Sequence, residues 1–244
     1  MTIYPAIDLK AGRCVRLLQG RADSETVYHD DPVVPAQAWK EAGTKWLHLV
    51  DLDGAFEGSS SNLEAVRRII ALGDLRVQLG GGLRNEEAVE TVLAAGVERA
   101  IIGTRACAEP DWTRKLIERF GPERIAVGID ARDGKVATKG WVEITETTAL
   151  DLAREMSDLG VRWIIHTDVA TDGAMNGPNL QAQQEMAVAI PDCKLIASGG
   201  VTNSQDLEDL NELAANHPNV EGVIVGKSLY EGTIDLGMAL ETYQ

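Results

Sequence analysis

Eight short β-branched or apolar runs alternating with helical patterns, a length of 244 residues, and a sequence that repeats itself half-way along predict an α/β chain. The expected architecture is a (β/α)8 TIM barrel built from two repeated half-barrels. The expected strands lie near 2–8, 46–51, 75–79, 98–103, 124–130, 162–168, 194–198 and 221–226. Helices with recognisable ends fall between them. Asn62 precedes Leu63, Val66, Ile69 and Ile70, and Gly73 stops that helix; Asn85 precedes Glu86 and Glu87, with the end near Gly96. A third helix is expected from Thr147 through Leu159, stopping at Gly160. No Pro/Ser-rich linker divides the chain, so residues 1–244 are expected to form one domain, with half-barrels at about 1–122 and 123–244.

The repeat carries the choice of barrel over open sheet. IYPAIDLKAGRCV resembles IAVGIDARDGKV and pairs Asp8 with Asp130 at an offset of 122; WLHLVD resembles WIIHTD at 117. Gly81, Gly82 and Asn85 are echoed by Gly199, Gly200 and Asn203 at 118, and VERAIIGTR by VEGVIVGKS at 123. An open doubly wound sheet gives no reason for such a repeat, and no G-x-G-x-x-G follows the first strand. GVIVGKS, at 222–228, is one residue short of a P-loop, and its apolar centre reads as buried strand.

Composition narrows the function. With 44% hydrophobic and 25% charged residues the chain can bury a large core. No run approaches the roughly 18 apolar residues of a membrane span, and MTIYPAIDL carries no basic leader pattern, so no membrane association and a cytoplasmic location are expected. A formal charge of -15 argues against nucleic acid, whose phosphates call for many Lys and Arg contacts. An anionic small molecule stays compatible when backbone N–H groups meet its charge. Cys14, Cys107 and Cys193 form no C-x-x-C pair and predict neither a metal site nor a disulfide framework.

Each half ends with a Gly-rich turn after its third strand and a Gly after its fourth. Gly81, Gly82, Gly103 and Thr104 in the first half answer to Gly199, Gly200, Gly226, Lys227 and Ser228 in the second. Loops of this kind present main-chain N–H groups to phosphate, which predicts two phosphate sites on opposite sides of one mouth. Tight turns alone are the competing explanation.

Strand parity sorts the acidic residues. Tyr4, Ala6 and Asp8 share one face of the first strand, and Ala126, Gly128 and Asp130 share one face of the fifth; the bulkier faces belong against helices, which turns both carboxylates inward. Paired carboxylates across a barrel suit acid and base chemistry. His48, Val50 and Thr167 are expected to face the interior, whereas Asp51 and Asp168 face outward and read as structural ligands of loop amides. Asp172 lies on a loop able to lean over the mouth. The segment from Lys10 to Asp31 is long for a βα connection and suggests a lid bearing Arg13, Arg16 and Arg21; the loop from Ala131 to Thr145 offers Lys139 and Trp141.

PAIDLKAGRCVRLLQG, HLVDLDGA, GGGLRN, KGW, HTDVATDGAMNGPN, ASGGV and GVIVGKSLYEG together resemble the ProFAR isomerase (HisA) family of histidine biosynthesis, over essentially the whole chain. The resemblance implies an Amadori rearrangement of a bisphosphorylated aminoaldose to an aminoketose, with no cofactor, no metal and a monomer as the working unit. By motif, Asp8 resembles the general base and Asp172 the general acid, with Asp130 and Thr167 near the same step; either Asp130 or Asp172 matches the ring-opening acid. Arg16 and Trp141 resemble substrate-binding positions. Three alternatives remain at this point: the cyclase subunit of imidazole glycerol phosphate synthase, a bifunctional isomerase that also serves tryptophan biosynthesis, and a non-catalytic phosphometabolite-binding protein.

Overall fold

A computed structural model describes residues 1–17, 24–57, 62–138 and 140–244. Its strands are β1 (Thr2–Lys10), β2 (Arg13–Leu17), β3 (Glu25–His29), β4 (Trp46–Asp51), β5 (Arg76–Gly80), β6 (Arg99–Ile102), β7 (Ile125–Arg132), β8 (Lys135–Thr138), β9 (Glu143–Thr148), β10 (Trp163–Asp168), β11 (Lys194–Ser198) and β12 (Val220–Val225). β1, β4, β5, β6, β7, β10, β11 and β12 pair in parallel in that order, and β12 returns to β1, so the sheet closes as a barrel with helices between its strands. An open sheet is excluded by that closure. GVIVGKS contributes the end of β12, as its apolar centre requires.

Parity builds two layers of core. Ile3, Ile7, Leu47, Leu49, Val77, Leu79, Val127 and Ile129 pack outward against the helices. Tyr4, Ala6, Ile101, Ala126, Trp163, Ile165, Ile196 and Ile224 fill the interior. At the floor the Arg99 guanidinium lies 4.8 Å from the Trp46 ring centroid and 3.4 Å from that of Trp163.

Four strands were not legible as strands in advance. β2 runs back antiparallel to β1 and pairs with β3, so the long first connection is a sheet extension. Arg21 lies outside the described residues. β8 and β9 pair antiparallel in the same way beyond β7. That moves the start of the third expected helix to Ala149, with Thr148 accepting the Asp151 N–H at 3.1 Å as its cap.

Asn85 caps its helix, Glu86–Ala94, by accepting the Ala88 N–H at 2.8 Å. Asn62 does not cap Leu63–Ile70 with its side chain. Its amide nitrogen donates to Asp51 at 2.7 Å and to Asp53 at 2.8 Å, and its oxygen accepts the Gly12 N–H at 2.9 Å. The Gly12 N–H takes the oxygen that a cap would use. The second half repeats the bond at the same offset, with Asn179 donating to Asp168 at 2.6 Å. Asp51 and Asp168 also accept the loop N–H groups of Gly54 and Ala170, the structural work expected of outward-facing carboxylates.

The paired glycines have a steric reason. Gly81 and Gly82 have φ of 99° and 74°, Gly199 and Gly200 of 95° and 90°, in the left-handed region that disfavours side chains. A Cβ on Gly82 would lie 2.5 Å from the Gly54 backbone, and one on Gly200 2.3 Å from the Gly177 carbonyl oxygen. Gly73 has φ of 72° with open space around it. Gly73→Ala should therefore cost only the left-handed strain of about 1–2 kcal/mol. Gly200→Ala should add overpacking and cost about 2–5 kcal/mol. Urea unfolding of the two variants measures the difference, and equal losses would show that the loop backbones do not need this close approach.

Candidate active site

Asp8 and Asp130 stand at the inward tips of β1 and β7, and Asp172 stands on the loop after β10. The three carboxyls share one mouth with Arg16, which β2 delivers. Arg16 Nη1 donates to Asp8 Oδ1 at 3.1 Å, with side chains 12% and 13% exposed. Burial pushes the Asp8 carboxyl up to about 6, against the pull of Arg16 and with a further rise from Asp172. Asp172 is raised by burial and lowered by Arg16. Asp130 is raised by burial, but the side chains of Trp141 and Thr167 donate hydrogen bonds to it and favour its ionised form. Three neighbouring carboxyls thus have different balances of proton affinity.

Trp141 holds φ at 69°, a left-handed angle costly for a bulky residue, and its indole is tied to Asp130. Lys139, beside it, lies outside the described residues. Thr167 is buried at the tip of β10 and pairs in register with Asp130. Arg13, like Lys10, pairs with Glu25. The hairpin carrying Arg16 is anchored by Tyr230, whose hydroxyl donates to the Ala6 carbonyl at 3.1 Å and whose ring stacks on Tyr28 with centroids 4.6 Å apart.

His48 pairs in register with Ala6, one step below Asp8. Burial and Arg16 push its imidazole down to about 3, so the ring is neutral. Gln78 Nε2 sits 3.0 Å from His48 Nδ1, and Arg99 Nη1 donates to Gln78 Oε1 at 2.8 Å. Gln78 and Arg99 are not among the residues expected from the sequence to form the site. Their signal was available: both are polar residues at inward positions of strands.

The Gly-rich loops flank this cluster. Gly103 and Gly226 have nearly the same backbone, φ/ψ of -104°/-115° and -116°/-96°. Thr104 begins the helix after Gly103, and Lys227 begins the helix after Gly226. A cleft between β11 and β12 is lined by Arg16, Asp172, Gly199, Gly200, Gly226 and Lys227. A Cβ on Gly103 would meet nothing, whereas one on Gly226 would lie 2.5 Å from Arg16 Nη2. Lys227 donates to the Gly173 carbonyl at 3.2 Å, tying this loop to the one bearing Asp172. Ser228 is fully buried, and its hydroxyl has no partner among the described residues. Among the described residues no group of three His, Cys, Asp or Glu side chains could hold a metal ion, and no helix is long and apolar enough to cross a membrane.

A family described as histidine biosynthesis protein matches residues 2–235. A relative from Opitutus terrae, named 1-(5-phosphoribosyl)-5-((5-phosphoribosylamino)methylideneamino)imidazole-4-carboxamide isomerase, is 52% identical over 236 residues, covering 97% of this chain and 96% of its own. Relatives of the same name from Syntrophomonas wolfei and Symbiobacterium thermophilum are 49% and 51% identical. They align with 98% of this chain each, and with 97% and 96% of their own lengths.

Because Arg16 lowers both Asp8 and His48, Arg16→Met should raise both: Asp8 above its value of about 6 and His48 above about 3. Carboxyl and imidazole NMR titrations follow the two groups separately. An Asp8 midpoint that stays put would show that the guanidinium does not govern this carboxyl.

Proposed function

The chain belongs to the histidine biosynthesis protein family, and from that premise we propose how its mouth performs the isomerisation named for its relatives. The chain is an aldose-ketose isomerase of histidine biosynthesis, acting on a small molecule. The observation that carries the residue assignment is the Asp8–Arg16–Asp172 cluster, two buried carboxyls held beside one guanidinium.

Asp172, as the acid, gives a proton to the ribose ring oxygen. The ring opens and the C1–N linkage becomes an iminium, which acidifies the hydrogen on C2. Asp8, as the carboxylate, removes that proton. The resulting enol gains a proton at C1 while its C2 oxygen becomes the ketone, and no atom is gained or lost overall. Assigning the acid to Asp172 is supported by the bonding of Asp130: two donors hold Asp130 toward its ionised form, while Asp172 is shifted mainly by burial. Asp130, fixed by Thr167 and Trp141, supplies negative charge that stabilises the iminium. Arg16 keeps Asp8 ionisable near neutrality, where burial alone would hold it protonated.

The substrate of this reading carries two phosphates. The Gly81–Gly82 turn with Gly103 and Thr104 takes one; the Gly199–Gly200 turn with Gly226, Lys227 and Ser228 takes the other, through main-chain N–H groups. The near-identical backbone of Gly103 and Gly226 supports this pairing. In this reading Trp141 leaves Asp130 and stacks on the imidazole end of the substrate. The cyclase, bifunctional and purely binding readings are not favoured, since the relatives share the isomerase name.

The test is turnover of ProFAR without ammonia or a glutaminase. Asp8→Asn and Asp172→Asn should each lower kcat by about 10²–10⁴-fold. The base works ionised, and its folded pKa is raised to about 6, so kcat/KM should fall as pH drops below about 6. Full turnover by Asp8→Asn would sink the assignment of the base; no turnover by the folded wild-type protein would sink the isomerase mechanism.

A further inference from the structure

We propose that Gln78 and Arg99 are positioning residues that hold His48 in its neutral, Nε2-protonated form, so that the ring offers a hydrogen-bond donor to an uncharged sugar oxygen of the substrate. The substrate half of this inference rests on the isomerase reading above; the tautomer half rests on geometry alone.

A guanidinium only donates, so the Arg99 bond of 2.8 Å must end on the oxygen of Gln78. That fixes the amide, and its nitrogen faces His48 Nδ1 at 3.0 Å. An amide nitrogen also only donates, so Nδ1 accepts and carries no hydrogen. The proton of the neutral ring therefore sits on Nε2, which has no bond to another polar group of the described residues. Gln78 cannot readily flip, because it is 0% exposed and its anchor is itself clamped. Arg99 is 3% exposed, lies between the rings of Trp46 and Trp163, and reaches toward the Glu123 carbonyl with Nε at 3.4 Å. A charged ring would set Nδ1–H against the amide hydrogens and place a second cation near Arg16; burial and that arginine both disfavour it.

The repeat supplies an internal comparison. His48, Gln78 and Arg99 are successive partners across β4, β5 and β6. The corresponding partners across β10, β11 and β12 are Ile165, Ile196 and Gly222. The same ladder closes without a polar side chain in the second half, so barrel closure does not require the Arg–Gln–His line. Burying an arginine and a glutamine costs free energy that isoleucine avoids; Arg99 also reaches Tyr4 and the Glu123 carbonyl, and the branch through Gln78 ends at His48. A neutral N–H donor suits a sugar hydroxyl or the C2 oxygen that becomes the ketone. It also avoids adding a cation next to the iminium.

Nitrogen-15 NMR of the four histidines, assigned with His48→Asn, reads the tautomer without substrate. Wild-type His48 should show protonated Nε2 and unprotonated Nδ1 from about pH 5 to 8. Gln78→Glu, which presents an acceptor, should move the proton to Nδ1 or charge the ring, and kcat should fall about tenfold or more. Gln78→Met, which lacks the amide, should release the tautomer preference and serves where the charged variant does not fold. A wild-type ring protonated at Nδ1, or folded variants with unchanged tautomer or full kcat, would overturn the proposal. Wild-type turnover of ProFAR is scored separately, so failure of the isomerase reading is distinguishable from failure of the tautomer.

Discussion

The Asp8–Arg16 ion pair is the contact on which the mouth depends. It joins a barrel strand to the hairpin above it, and both groups are largely withdrawn from water. A buried carboxylate needs a counter-charge, and removing one partner strands the other. The same guanidinium lowers His48 and opposes the rise of Asp172, and it lies 2.5 Å from where a Cβ on Gly226 would stand, so a side chain there would displace it. Proton affinities and loop packing on the β12 side thus share one cause.

The two halves show which features belong to the scaffold and which to the chemistry. Asp51–Asn62 and Asp168–Asn179 recur at equivalent positions, as do the paired left-handed glycines. These features lock adjacent loops together. Among the described residues Arg16 has no equivalent facing Gly103, and the polar line ending at His48 has only apolar counterparts. Repetition holds the loops in place, and departures from it make the two sides of the mouth chemically different.

Much of this was legible in the sequence because strands have a fixed period. Parity turns Asp8, Asp130 and Thr167 inward and Asp51 and Asp168 outward, whatever the ligand. The eight barrel strands follow for the same reason, each being a short apolar run with a helix behind it. The hairpin strands were harder, since β2 and β3 pair locally above the barrel and β9 is largely exposed, with little apolar alternation to mark it. Asn62 illustrates a different limit. Its place before a helix fits an N-cap, but its side-chain oxygen is taken by the Gly12 N–H, a partner that only the folded chain brings near. Phosphate contacts remain a proposal because a tight turn and an anion site demand the same glycines. Steric exclusion at Gly82 and Gly200 accounts for those residues without a ligand.

Placing three carboxyls in one low-dielectric mouth is useful only when their protons are not interchangeable. Burial raises all three, so burial alone gives no division between acid and base. The division comes from what touches each group. Asp8 has the guanidinium in direct contact, Asp130 has two neutral donors, and Asp172 feels the charge of Arg16. A negative charge on Asp172 raises Asp8, whose own guanidinium partner opposes that rise, so the two carboxyls do not hold their protons alike. A reaction that gives a proton to one atom and takes one from another calls for carboxyls that differ in this way.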